Sequence, residues 1–266
     1  LAGLSFIALC NYFKFEKFYI LFAALCYCFA GYSFVAFSQV FMLYPLVLAP
    51  LTVLGLEKIF RENKYLIFTL VMIFNFGYSV DHSLNVFLLT VLYFFVRSII
   101  SEESFKFKTF ILRAFKIFLF ALLAFIIASP LLNPQVGGLL LNSRLGLDRP
   151  FDPFYPSPYY SKSVGLYLSV AQVGPDCYSG FFALFILCQF VMIFHKKKDK
   201  STKRLLVLFL IFTIFMLIPI FGRIFNGSSY ANNRWIWAYT LLVSFVIAKD
   251  GKNIWTFVKA NKLKAF

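Results

Sequence analysis

An all-α, polytopic transmembrane bundle is the fold class this sequence predicts, on three observations. Of its 266 residues, 61% are hydrophobic and 14% carry a charge; a soluble domain has about 45–50% and about 25%. Apolar runs close to the bilayer-crossing length of about 17–25 residues recur from end to end. Lys and Arg fall in alternate connections between those runs, as they do where short cytoplasmic loops are positive.

Nine apolar segments can be drawn: a partial one over 1–10, then 18–36, 41–56, 65–80, 83–100, 110–129, 178–194, 205–222 and 235–248. The opening Leu1-Ala2-Gly3-Leu4 lacks the basic start and small-residue cleavage site of a signal peptide. The first segment therefore reads as the remainder of a longer helix, and the chain as a piece of a longer protein at both ends. Segments shorter than a full span suit helices packed within a bundle or broken near a cavity. Three regions result: 1–129, helices with short basic loops; 130–177, an extracytoplasmic loop rich in Pro, Tyr and Asp; and 178–266, helices with a basic tail.

Alternation from an inner loop at Lys14 and Lys17 assigns 21 of the 26 basic residues to the inside. Arg144, Arg149, Lys162, Arg223 and Arg234 are left outside. One missed or invented helix would scramble this separation. The net charge of +15 is thereby explained by topology, and no nucleic acid is needed as a partner. Residues 101–116 combine a capping Ser101, Glu102 and Glu103 in a first turn, and Phe interleaved with Lys and Arg. They predict a helix lying along the membrane surface before the next span. Cys10, Cys26, Cys28, Cys177 and Cys188 read as small apolar residues, not as disulfide or metal ligands.

Chemistry-bearing residues on the outer side are few. Asp81 and His82 lie between two segments, either as a polar turn in water or as a carboxylate and imidazole at a cavity mouth. In the long loop, Pro150, Pro153, Pro156 and Pro158 exclude a regular helix. Its aromatics, Tyr160 among them, would stack on sugar rings, and Arg149 would hold phosphate. Asp148 or Asp152 would join a divalent metal ion to that phosphate. At Asp81 and His82 the spacing favours no metal, which would want more ligands; for the long loop the alternative is a plain surface loop. Asp176 reads as a helix cap.

The strongest local feature is Pro219–Trp237. Here Arg223 and Arg234 flank a polar turn holding Asn226, Tyr230, Asn232 and Asn233, followed by Trp235 and Trp237. Two readings stand side by side. Both Arg side chains snorkel to headgroups, with the Trp pair as an aromatic belt; or the two guanidinium groups clamp a lipid phosphate or pyrophosphate, whose oxygens they grip bidentately.

The stretches Leu1–Phe6, Tyr27–Tyr32, Leu43–Leu48, Leu54–Lys58, Phe74–Phe76, Leu92–Arg97 and, most specifically, Phe225-Asn-Gly-Ser-Ser-Tyr-Ala-Asn-Asn-Arg-Trp235 resemble the YfhO family of bacterial membrane proteins. The resemblance implies a GT-C-like fold in the bacterial cytoplasmic membrane, with an active site facing outward. It further implies a glycosyltransferase that moves a sugar from undecaprenyl phosphate to a cell-envelope polymer such as lipoteichoic acid. The matching residues are Asn226, Gly227, Tyr230, Asn233, Arg234 and Trp235; Ala231 stands where the family usually has Pro. The family pattern places the catalytic acid in an outer loop before Leu1. A transporter or flippase for a lipid-linked or anionic substrate is the competing reading. It requires polar residues deep in several spans, for which Gln39, Asn75 and Gln189 are the clearest candidates.

Overall fold

The computed structural model describes residues 1–37, 42–78, 80–100, 106–140, 153–160, 200–227 and 231–262. Among them there is helix and no strand. Seven helices come first: α1 (Ala2–Tyr12), α2 (Lys17–Cys28), α3 (Gly31–Ala36), α4 (Tyr44–Glu62), α5 (Leu66–Tyr78), α6 (Val80–Ile99) and α7 (Phe107–Leu140). After the gap come α8 (Lys200–Leu217), α9 (Pro219–Phe225), a 3-10 turn (Arg234–Ile236) and α10 (Trp237–Lys262). α5 packs along α7, α10 along α2, and α4 against α1, α5 and α6.

The boundaries differ from the sequence reading at four places, each with a local cause. The apolar run 18–36 is broken where Phe29 leaves the helical region and Ala30 is extended, giving α2 and α3. Asp81 and His82 stand in the first turn of α6, not in a free turn; their side chains lie outside the described residues. The helix expected to stop at 129 continues to Leu140, and it begins at Phe107 without a separate surface helix. It tolerates Pro130 because the carbonyl deprived of its partner, that of Ile126, accepts from the Ser129 hydroxyl at 2.8 Å. Lastly, the segment drawn as 235–248 extends as α10 to Lys262, into what read as a basic tail.

By length and composition, α7 is long and apolar enough to cross a membrane. The bent pair α8 and α9 passes the same test only when taken together, as a broken span or a re-entrant loop. The other described helices do not pass that test singly. The nine-span arrangement therefore remains an expectation.

The distribution of polarity runs opposite to that of a soluble protein. Along α7, Leu112, Phe115, Phe118, Ile126 and Leu131 are exposed, while Glu57, Asn75, Asn85, Arg97 and Arg204 are buried elsewhere in the bundle. An apolar exterior of this extent is at home in hydrocarbon, and buried charges there must be paired. Glu57, 0% exposed, meets that demand. It accepts from Arg97 Nε and the Tyr93 hydroxyl at 2.8 Å, both on α6, and from Arg61 Nε at 2.9 Å. Asn75 is likewise committed: its side chain accepts from the Tyr44 hydroxyl at 2.7 Å and donates to the Ser83 carbonyl at 3.2 Å. Gln39 and Gln189 lie outside the described residues.

Pro50 sits inside α4 and leaves the Leu46 carbonyl without its helical donor. The fully buried Tyr27 of α2 donates its hydroxyl to that carbonyl at 2.8 Å. Tyr27→Phe is expected to lower stability by about 1–3 kcal/mol, since it strands a buried acceptor with no water to replace the donor. Unfolding in mixed detergent micelles measures this. The double change Tyr27→Phe with Pro50→Ala, which restores the helical donor, should recover most of the loss.

Candidate functional site

The elbow between α8 and α9 begins with Pro219. A residue before proline is pushed out of the helical region, and Ile218 is extended at φ −119, ψ 117. The two helices consequently meet at a 99° bend. The last carbonyls of α8 lose their helical donors at such a break. Two tyrosines of the long loop supply them: Tyr159 OH donates to the Met216 carbonyl at 2.8 Å, and Tyr160 OH to that of Leu217 at 3.1 Å. Tyr160 OH also accepts from the Tyr155 backbone N–H at 3.1 Å, and the Tyr155 ring stacks on Tyr159 at 4.0 Å.

The chain then returns across the elbow. Gly227 takes a left-handed conformation at φ +62, which costs glycine nothing. Asn232 Oδ1 accepts from the Arg234 backbone N–H at 3.1 Å and so starts the 3-10 turn. Asn233 Nδ2 donates to Tyr159 OH at 2.7 Å. That hydroxyl has already given its proton to Met216, so its oxygen must accept, and the amide orientation is set. α9 and the return segment touch through Gly222, where a Cβ would lie 2.8 Å from the Asn232 carbonyl oxygen and from Tyr155 OH. Glycine is required by this approach. Arg223 follows the contact by one residue and Arg234 lies two past Asn232, so the two arginines are carried by segments in direct backbone contact. Both are half-buried.

Trp235 is 0% exposed. Its ring lies 5.4 Å from Phe225, 5.8 Å from Phe212 and 5.9 Å from Phe215. Trp237 is buried too. The aromatic-belt reading is thereby replaced: these indoles anchor the turn from inside the bundle instead of lying at its surface. Tyr160 serves the end of α8. Among the described residues, the buried atoms Asn232 Nδ2, Asn233 Oδ1 and Trp235 Nε1 make no hydrogen bond. Unsatisfied polar atoms of this kind, gathered on one short segment, are uncommon in a settled core.

Of the other residues singled out by sequence, Asn226 ends α9 and is half-buried. Tyr230, Arg149, Asp148, Asp152 and Asp176 lie outside the described residues. α6, which carries Asp81 and His82 in its first turn, packs against α9. The sequence reading missed Tyr155, Tyr159 and Gly222. A signal existed in the Tyr-rich, Pro-punctuated stretch before residue 161, but its target on α8 is nearly sixty residues away. Among the described residues, no three His, Cys, Asp or Glu gather as metal ligands.

An apolar cleft of about 90 Å³ has Phe212 and Trp237 in its wall. It is separate from the Gly222–Asn232 contact, and neither Arg223 nor Arg234 lines it.

No curated protein and no solved structure matches this chain. The family model described as "Bacterial membrane protein YfhO" matches residues 1–264. With nearly the whole chain covered, including the Asn-Gly…Asn-Asn-Arg-Trp elbow described above, the chain belongs to the YfhO family of bacterial membrane proteins.

Proposed function

We propose that the chain is part of an integral membrane glycosyltransferase of GT-C type. It moves a sugar from a polyprenyl-phosphate carrier to an extracytoplasmic acceptor, with lipoteichoic acid as the kind of polymer expected. The observation that supports this best is the elbow. Two arginines ride on segments joined through Gly222, beside buried amide and indole atoms that lack partners among the described residues. Guanidinium groups at that position would stabilise the phosphate as it departs from the sugar. Asn232 Nδ2 and Asn233 Oδ1 supply one donor and one acceptor, the pair a sugar hydroxyl uses. Tyr159 and Tyr160 position the turn, and Trp235 anchors it from inside the bundle.

The flippase reading draws less support, because Asn75 is engaged with Tyr44 and Ser83. Arg234→Ala is expected to remove at least ~100-fold of sugar addition, the order seen when a transition-state charge partner is deleted. The assay is transfer from a radiolabelled polyprenyl-phosphate sugar in membranes, with insertion checked by protease protection. Full activity in that variant would sink the clamp. Transbilayer movement of the labelled lipid without transfer to an acceptor would establish the flippase.

A further inference from the structure

The start of α7 lies at the end of the bundle remote from the elbow. There the Phe110 ring is 5.3 Å from Phe94 on α6, and Arg204 near the start of α8 bonds the Ile100 carbonyl. Two guanidinium groups share one ring at this end: Arg97 lies 4.9 Å and Arg113 4.7 Å from the centre of Phe60. Glu57 neutralises the first. Among the described residues Arg113, half-buried on α7, makes no ion pair, and neither does the exposed Lys116. Lys64, at the α4–α5 turn, is taken by Glu62, and Glu102 and Glu103 lie outside the described residues. A ring face attracts a cation but does not cancel its charge. The separation of basic residues asks only for charge at this end; it does not ask for a guanidinium fixed over a ring and left without an anion. Past these two cations the helix surface turns apolar. Arg113, Lys116, Phe120, Leu123 and Ile127 follow at steps of three and four, which stacks them along one side of α7. Leu123 and Ile127 are 45% and 50% exposed, and Phe120 is backed by the Tyr65 ring of α5 at 4.4 Å. Lys116 to Ile127 is ~16 Å at 1.5 Å per residue, about half the ~30 Å hydrocarbon thickness of a bilayer. A soluble anion would match the cations and leave this strip unmatched; a phosphate carrying a hydrocarbon chain matches both.

We propose that this flank of α7 binds an anionic phospholipid, with its phosphate against Arg113 and Lys116 and an acyl chain along Phe120, Leu123 and Ile127. Basic groups where a helix leaves the hydrocarbon attract such headgroups. A guanidinium already held by a ring gives up less freedom on gripping a phosphate. The lipid closes the corner where the α4–α5 turn meets α7. This site is independent of the elbow and of the reaction assigned to it.

The test uses the full chain purified in mild detergent and stripped of lipid. Phosphatidylglycerol is expected to raise the thermal midpoint more than phosphatidylcholine does. Arg113→Gln and Lys116→Gln should each weaken phosphatidylglycerol binding about fivefold, the worth of one cation beside an anionic lipid. Lys252→Gln, at an exposed lysine of α10, should leave binding unchanged. Should Arg113→Gln fail to fold, Lys116→Gln carries the charge test, and labelling locates the chain. Phosphatidylglycerol with a photoreactive acyl chain should label α7 around Leu123 and Ile127, and unlabelled phosphatidylglycerol should compete where phosphatidylcholine does not. Equal stabilisation by the two phospholipids overturns the proposal, as does labelling confined to other helices. So does stabilisation by inorganic phosphate or by chain-free glycerophosphoglycerol that matches phosphatidylglycerol, or binding undiminished in the Lys116→Gln variant.

Discussion

Replacing Glu57 by Ala is expected to cost the folded bundle about 3–5 kcal/mol, the penalty for leaving a buried charge without its partner. Glu57 is completely enclosed and receives three donors, two of them guanidinium groups. With the carboxylate gone, Arg97, 8% exposed, keeps its charge with the Phe60 ring at 4.9 Å as a weaker partner. Tyr93 loses its acceptor as well. Arg61 is different: its side chain is 41% exposed, so Arg61→Ala should cost only about 0–1 kcal/mol. The contrast is measured by unfolding each variant in micelles of rising SDS content. The double change Glu57→Leu with Arg97→Met should recover much of the loss, because two apolar groups replace a matched pair at little net cost. If Glu57→Ala unfolds like the parent, the network does not hold α4 to α6.

Trp235→Ala should be about as damaging, at about 3–5 kcal/mol for removing a large ring from a closed core. The indole fills a space bounded by Phe212, Phe215 and Phe225. It lies immediately after Arg234, so the cavity would release the turn that aims this guanidinium. Both stability and sugar addition should fall. Trp235→Phe separates the two effects. It retains much of the ring packing and removes an N–H that has no partner among the described residues. Stability should therefore drop far less than in Trp235→Ala. A fall in transfer rate beyond that small change would show that the indole N–H serves the bound substrate; an unchanged rate assigns Trp235 to packing alone.

The elbow illustrates what is legible in the chain and what is not. Pro219 announces the break, because proline constrains the residue before it whatever the surroundings. The Asn-Asn-Arg-Trp string stands out against its apolar background, since charge in a span is costly. Neither observation reveals that Tyr159 caps α8 and accepts from Asn233, or that Gly222 is where the two segments meet. Such pairings depend on how helices cross, and no local period encodes a crossing. The same limit explains why Trp235 and Trp237 read as an interfacial belt. Next to a polar turn their residue type suits either location, and for Trp235 only the neighbours Phe212, Phe215 and Phe225 decide it.

By itself, the sequence determined the helical membrane class and the YfhO kinship, because composition, apolar run length and a distinctive string are properties of the chain as written. It also marked Arg223 and Arg234, through the separation of basic residues. The tertiary structure alone decided which buried groups satisfy one another. Glu57 finds Arg97 forty positions away, Tyr27 repairs the gap that Pro50 leaves at Leu46, and Tyr159 holds the turn that carries Arg234. In a medium without water every such group must find a partner inside the protein. Which partner it finds is set by the three-dimensional crossing of helices, not by their order along the chain.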